Sequence, residues 1–227
     1  MSSGVLVGLL DSGVDGGQRA RVAAARQFKV GPEGKVVVGP DTADAIRHGS
    51  LLAQVIWRHA PRARLLNARI FDDKPVATPR LVAEGFDWLV RRGAAMINMS
   101  FGLREDRVLV REICQRAMGE GIILVAASPA RGTQIYPSAY DGVISVSGDA
   151  RCAADEISHL ATSQAEYGAC PRGMKEVGDR RVGGSSFATA HVTGKLAAYL
   201  DDGGASILAA DFLRSRARYH GPERRAI

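Results

Sequence analysis

The sequence predicts an α/β fold, a mainly parallel β-sheet flanked by helices on both faces, and three observations carry that expectation. Short continuous apolar runs of buried-strand length recur along the chain, as at Gly4–Leu10, Leu65–Ile70 and Ile122–Ala127. Stretches with apolar residues at helical spacing separate them. That βαβ rhythm implies right-handed crossovers between parallel strands. At 227 residues the chain is long enough to bury a sizeable core. The expectation is one domain over residues 1–227, with 205–227 as a C-terminal helix or tail.

In order, Gly4-Val5-Leu6-Val7-Gly8-Leu9-Leu10 reads as a buried strand, ended by Asp11-Ser12-Gly13-Val14-Asp15. Asp11 falls at the carboxyl end of that strand, where open α/β sheets place their chemistry. The glycines after it do not spell GxGxxG, and no P-loop lysine accompanies them, which argues against a nucleotide fold. Residues 18–46 are less legible: 21–25 and 35–38 read as short strands, or strand and turn, with Gly31-Pro32-Glu33-Gly34 as the turn between them. Leu51, Leu52, Val55 and Ile56 form one apolar helical face, so His48 opens a helix beside Gly49. His59, eleven positions on, lies about three turns away and cannot share a site with His48.

Thr78 to Arg92 is amphipathic through Leu81, Val82, Phe86 and Leu89, and Gly93 to Ser100 is the next buried strand. A helix at about 106–119 and strands at Ile122–Ala127 and Val143–Val146 continue the alternation, while 148–182 reads as a long irregular connection. It delivers Gly183-Gly184-Ser185-Ser186, after which Phe187, Val192, Leu196 and Ala197 sit at helical spacing. Ser186 then lies where unpaired N–H groups and the positive end of a helix favour an oxyanion.

Taken singly, these residues have plain structural readings: an Asx turn for Asp11, a structural histidine for His48, an N-cap for Ser186. Together, Leu10-Asp11-Ser12-Gly13-Val14-Asp15, His48-Gly49-Ser50 and Gly184-Ser185-Ser186-Phe187-Ala188-Thr189-Ala190-His191-Val192-Thr193-Gly194, in that chain order, resemble the three signatures of the subtilisin-like serine proteases, the subtilase family. The resemblance implies the subtilisin-like three-layer sandwich and a serine endopeptidase. Ser186 would be the nucleophile, His48 the general base and acid, and Asp11 the carboxylate that orients the imidazole, without a cofactor. It also implies that Ser100, Phe101 and Gly102 line the substrate cleft, that the Tyr136–Pro137 bond is cis, and that the backbone N–H of Ser186 serves the oxyanion hole.

The chain departs from the family pattern at one place. Val125-Ala126-Ala127-Ser128-Pro129-Ala130 carries Ala130 where the family commonly has an asparagine that donates to the oxyanion. A replacement donor is sought among Ser128, Arg131, Thr133 and Gln134. The family's secreted members bind calcium in loops without a convincing counterpart here; Asp41, Asp44, Asp72 and Asp73 are expected to be solvated acids, and no metal site is expected.

Composition narrows the setting. With 46% hydrophobic and 24% charged residues the chain is an ordinary globular one, and no apolar run approaches membrane-spanning length. Met1-Ser2-Ser3-Gly4 enters the first strand without a basic n-region, so the expectation is a cytoplasmic protein with no signal or propeptide. Cys114, Cys152 and Cys170 are odd in number and lack CxxC spacing, which argues against a disulfide framework or a zinc site. The net charge of +6, partly from Arg214, Arg216, Arg218, Arg224 and Arg225, comes without aromatic–basic interleaving and so does not indicate nucleic acid; it is compatible with an acidic peptide or small-protein substrate. No oligomeric state is legible. A degradative protease loose in the cytoplasm would be hazardous, so the expected role is selective processing such as leader-peptide removal. In this the chain is similar to compact bacterial subtilases that mature modified peptides, for example in quinohemoprotein amine dehydrogenase assembly. The alternative from a different class is a catalytically quiet peptide-binding protein on the same fold.

Overall fold

The computed structural model describes residues 4–173 and 183–223. Their ten strands form one sheet in the order β10-β8-β9-β7-β6-β5-β1-β4-β2-β3. The central strands are β1 (Leu6–Asp11), β4 (Arg64–Arg69), β5 (Met96–Met99), β6 (Ile123–Ala127) and β7 (Ile144–Gly148). All pair in parallel, with Leu9 opposite Asn67 on one side and Asn98 on the other. Two hairpin-like pairs break the pattern: β2 (Val22–Val30) with β3 (Val36–Gly39), and β8 (Ile157–His159) with β9 (Tyr167–Ala169), are antiparallel.

The period-2 alternation of each strand sorts its side chains onto two cores. Val7 and Leu9 face α1 (His48–His59) and α4 (Ser185–Asp201), where Leu52, Ile56, Phe187 and Leu196 are buried. Leu10 and Ile97 face α2 (Pro79–Arg91) and α3 (Val108–Gly119), packing with Phe86, Leu89 and Cys114. The fold class read from the sequence is therefore the one observed, helices on both faces of a mostly parallel sheet. α2 starts where its sequence says: Thr78 Oγ1 accepts from the Leu81 N–H at 3.2 Å, and Pro79 occupies the first turn, where its missing N–H costs nothing.

α1 and α4 run side by side, and Gly194 is what lets them approach. A Cβ there would lie 2.8 Å from the Ile56 carbonyl oxygen and 3.0 Å from the His59 Cβ. The same crossing holds a histidine pair, His191 buried and His59 partly so. His59 Nε2–H donates to His191 Nδ1 at 2.8 Å, and His191 Nε2–H donates to the Arg172 carbonyl at 3.0 Å. Burial, assisted by the nearby Lys195 charge, lowers the pKa of His59 to about 3 and that of His191 to about 4. The unfolded chain therefore binds protons near pH 6.5 that the folded pair refuses. Stability is full above that value and declines as pH falls toward 4, by about 2 kcal/mol per histidine between pH 6.5 and 5. His59→Gln keeps a donor for His191 but does not titrate, so urea melts should show it losing about half as much stability over that range; an unchanged slope would sink the assignment.

Two expectations need correction. The stretch 148–182 is not irregular throughout, since it contributes β8 and β9; the part from 174 to 182 lies outside the described residues. Three-residue strands are too short to display alternation, so nothing in the local pattern announces them. Nor are Asp41 and Asp44 solvated. Asp44 is 4% exposed and accepts from the N–H groups of Arg47 and Ser50 and from Ser50 Oγ at 2.7–2.9 Å, so its charge meets the positive end of α1. Asp41 is largely covered and accepts from Asn67 Nδ2 at 3.2 Å.

The C-terminal segment, expected as a helix or tail, is packed. It forms α5 (Ala209–Ser215), with Leu213 fully buried, and β10 (Tyr219–His220), which joins β8; Arg224 and Arg225 lie outside the described residues.

Candidate active site

Asp11 is the last residue of β1 and is fully buried. Its Oδ1 accepts from the Ser12 N–H at 2.8 Å and from Ser12 Oγ at 3.1 Å, and lies 2.7 Å from His48 Nδ1. The imidazole Nδ1 therefore carries the proton toward the carboxylate, leaving Nε2 as the basic nitrogen. Burial alone would lower the His48 pKa, but the Asp11 charge and hydrogen bond outweigh it and raise it above 6.5.

Local geometry explains why His48 sits so close. Arg47, in the left-handed region at φ 59°, turns the chain into α1, and Gly49 lets the helix start press against the loop after β1. A Cβ on Gly49 would lie 2.3 Å from the Gly13 carbonyl oxygen. Its N–H instead donates to Ser12 Oγ at 2.9 Å.

Ser186 lies in the first turn of α4, where helix N–H groups have no intrahelical partner. The rings of His48 and the adjacent Phe187 are 6.3 Å apart, so the start of α4 lies next to the imidazole. The partner of the Ser186 hydroxyl among the described residues is the Ser100 carbonyl, at a long 3.4 Å, rather than His48. The sequence-derived trio thus divides: Asp11 and His48 are directly bonded, and Ser186 stands beside them with its hydroxyl turned to β5.

Ser100, just beyond β5, is nearly buried; Phe101 is half-buried and Gly102 exposed. The Tyr136–Pro137 peptide is cis, as the resemblance implies. Ala130 is exposed on the loop after β6. Of the four candidate replacement donors, two are engaged elsewhere. Ser128 Oγ donates to the Gln164 carbonyl at 2.5 Å and Gln134 Nε2 to the Ser163 carbonyl at 2.7 Å, while Arg131 and Thr133 are exposed.

Several supporting residues were not singled out from sequence. Asn98 Nδ2 donates to Ser100 Oγ at 3.0 Å, and Asn98 Oδ1 accepts from Thr193 Oγ1 at 2.9 Å, tying β5 to α4 beneath Ser186. A signal existed: Asn98 is a polar residue inside an otherwise apolar buried-strand run, and such a residue must find a partner. Ser12, which braces both Asp11 and Gly49, left no comparable mark.

Comparison with known proteins bears on the family. The chain is 28% identical over 213 residues to a thermostable alkaline protease of Halalkalibacterium halodurans, covering 85% of this chain and 55% of that one. It is 25% identical over 219 residues to Subtilisin Savinase of Lederbergia lenta, covering 86% and 76%. A cold adapted subtilisin-like serine proteinase of known structure superposes with a TM-score of 0.72 at 21% identity, covering 94% of this chain and 82% of that one. The chain spans about half the length of the first curated relative. No helix among the described residues is long and apolar enough to cross a membrane. With residues 2–204 matched by the model of the subtilase family, over a sheet that brings Asp11 to His48 at the start of the Ser186 helix, the chain belongs to that family.

Proposed function

We propose that the chain is a serine endopeptidase whose reacting groups are Ser186, His48 and Asp11. The 2.7 Å contact between His48 Nδ1 and the buried Asp11 carboxylate, beside the start of α4, carries the reading. His48 Nε2 takes the Ser186 proton as Oγ attacks the scissile carbonyl, then returns it to the departing amine, and water repeats the cycle on the acyl-enzyme. Asp11 fixes the tautomer and stabilises the imidazolium. The Ser186 N–H donates to the oxyanion; because Ala130 has no side-chain donor, the hole is atypical and turnover is slow. Substrate main chain pairs along Ser100, Phe101 and Gly102.

The finer reading is selective processing, removal of a leader from a peptide or small protein, in the cytoplasm. The three cysteines support the compartment, being free and buried. Cys114 and Cys152, pushed up to about 12 by burial, are inert thiols rather than a second nucleophile. Incubation with precursor peptides, read by mass spectrometry, tests this role: a single cut between leader and core supports it, and indiscriminate cutting removes it.

The pH profile tests the base. His48 must be neutral to accept a proton, and its folded pKa is raised, so peptide hydrolysis should fall with acid through a midpoint above 6.5. An acid limb in kcat/KM centred at or below that value would exclude His48 paired with Asp11 as the group that titrates.

The second reading, a quiet peptide binder, draws on the Ser186 hydroxyl being bonded to Ser100 and on the alanine at 130. Peptide capture with no hydrolysis and no acylation would favour it.

A further inference from the structure

The helix that carries His48 borders a cavity of about 580 Å³. Its lining is Gln18, Arg21, Gln54, Trp57 and Arg58, completed by a glycine and an alanine. Two guanidinium groups thus line the cavity and no carboxylate does. The acids closest in sequence are engaged elsewhere, Asp15 lying 3.5 Å from Arg47 and Asp41 lying 3.8 Å from Arg19.

Arg21 is held in place. Its guanidinium lies 4.4 Å from the centroid of the Trp57 ring, and its Nη2 donates to the Pro61 carbonyl. Trp57 is 6% exposed and is itself fixed by a 3.0 Å hydrogen bond from Nε1 to the Ala63 carbonyl. Stacking orients the planar fork, and a single carbonyl leaves most of its five N–H donors unused. No ion pair engages Arg21 among the described residues. Burial lowers its pKa from the ordinary value, as expected of a cation that has given up hydration without gaining a counter-ion.

A guanidinium fixed in this way is matched by a carboxylate, which accepts two parallel N–H bonds from the fork. The cavity is larger than a lone inorganic anion fills. The Gln54 carboxamide has no hydrogen-bond partner among the described residues, and it offers the donor and the acceptor that a peptide main chain requires. Position ties the cavity to the cut. Gln54 follows His48 on α1 at about 9 Å along the helix axis, and Gln18 Nε2 donates to the Ser50 carbonyl at 3.4 Å. Three or four extended peptide residues cover about 10–13 Å, enough to span that separation.

We propose that this cavity is an exosite that takes a glutamate or aspartate side chain of an acidic peptide substrate, with Arg21 binding the carboxylate and Gln54 the adjoining main chain. The proposal deepens, and rests on, the serine endopeptidase reading. A glutamine in the substrate forfeits the charge-assisted bonds, and a lysine meets two like charges.

Calorimetric titration of the full chain tests it with three probes: a hexapeptide of alternating glutamate and alanine, the same peptide with glutamine for glutamate, and inorganic phosphate. The proteins are the wild type, Arg21→Gln and Gln54→Glu, each checked by a thermal melt. The wild type should bind the glutamate peptide about tenfold more tightly than either other probe, the scale of hydrogen bonds to a charged group. Each variant should weaken the glutamate peptide by about tenfold. On a peptide that the protein cleaves, extended by an acidic segment, both variants should raise KM while kcat and fluorophosphonate labelling of Ser186 stay the same. If Arg21→Gln melts early, Gln54→Glu decides, because position 54 is partly exposed on a helix. Equal binding of the two peptides, phosphate binding as tight as that of the glutamate peptide, or variants with wild-type affinity and KM would overturn the exosite while labelling persists. A wild type that binds the glutamate peptide selectively but takes up no fluorophosphonate overturns the protease reading and the substrate role with it, and leaves the cavity as a carboxylate-binding site.

Discussion

Ser186→Ala should abolish both peptide hydrolysis and covalent labelling by a fluorophosphonate, with kcat falling by about 10⁶-fold, the loss subtilisin itself suffers when its nucleophile is removed. The expectation follows from position. Ser186 lies in the first turn of α4, beside the imidazole of His48 and beyond the carboxyl ends of the central strands. The change is also structurally mild. Among the described residues the hydroxyl makes a single long hydrogen bond, to the Ser100 carbonyl, so its removal should leave the melting temperature nearly unchanged. Labelling of the variant to the same extent as wild type would show that another group reacts, and the assignment would fall.

Ala130→Asn should act in the opposite direction, raising kcat by up to about 10²-fold, an upper scale set by deletion of the corresponding asparagine in subtilisin. Two of the side chains that could have replaced it are already committed, Ser128 to the Gln164 carbonyl and Gln134 to the Ser163 carbonyl. The loop is exposed at 130, so a longer side chain can be accommodated without displacing core atoms. Steady-state kinetics on a true substrate settle the matter: a rise in kcat at constant KM identifies a missing transition-state donor, whereas an unchanged or lower kcat means that Arg131, Thr133 or water already fills that role.

How much of the fold and site was legible in the sequence depended on whether a residue's role is local. The runs around Leu6–Asp11 and Ile123–Ala127 carry strand length and apolarity in adjacent residues, and Thr78-Pro79 marks a helix start within two positions. The three signatures were readable for the same reason, since each is a short segment with its own turn or helix chemistry. What escaped was set by pairing at a distance. His59 meets a partner 132 positions away, Asn98 one 95 positions away, and β10 closes against β8 some sixty residues earlier. Asp44 was misread because an acid at a helix start and an acid in solvent look alike until the backbone shows which N–H groups it faces.

On the proposed mechanism, Gly194 bears on catalysis from a distance. It lies eight residues from Ser186, and the Ile56 carbonyl it touches lies eight residues from His48, so the two helices resemble the arms of a pair of tongs with a bare hydrogen at the pivot. A single methyl group at that pivot should splay the arms and move His48 away from Ser186. On the proposed mechanism, the spacing between the two reacting groups is thus set two turns further along each helix, by the smallest side chain in the protein.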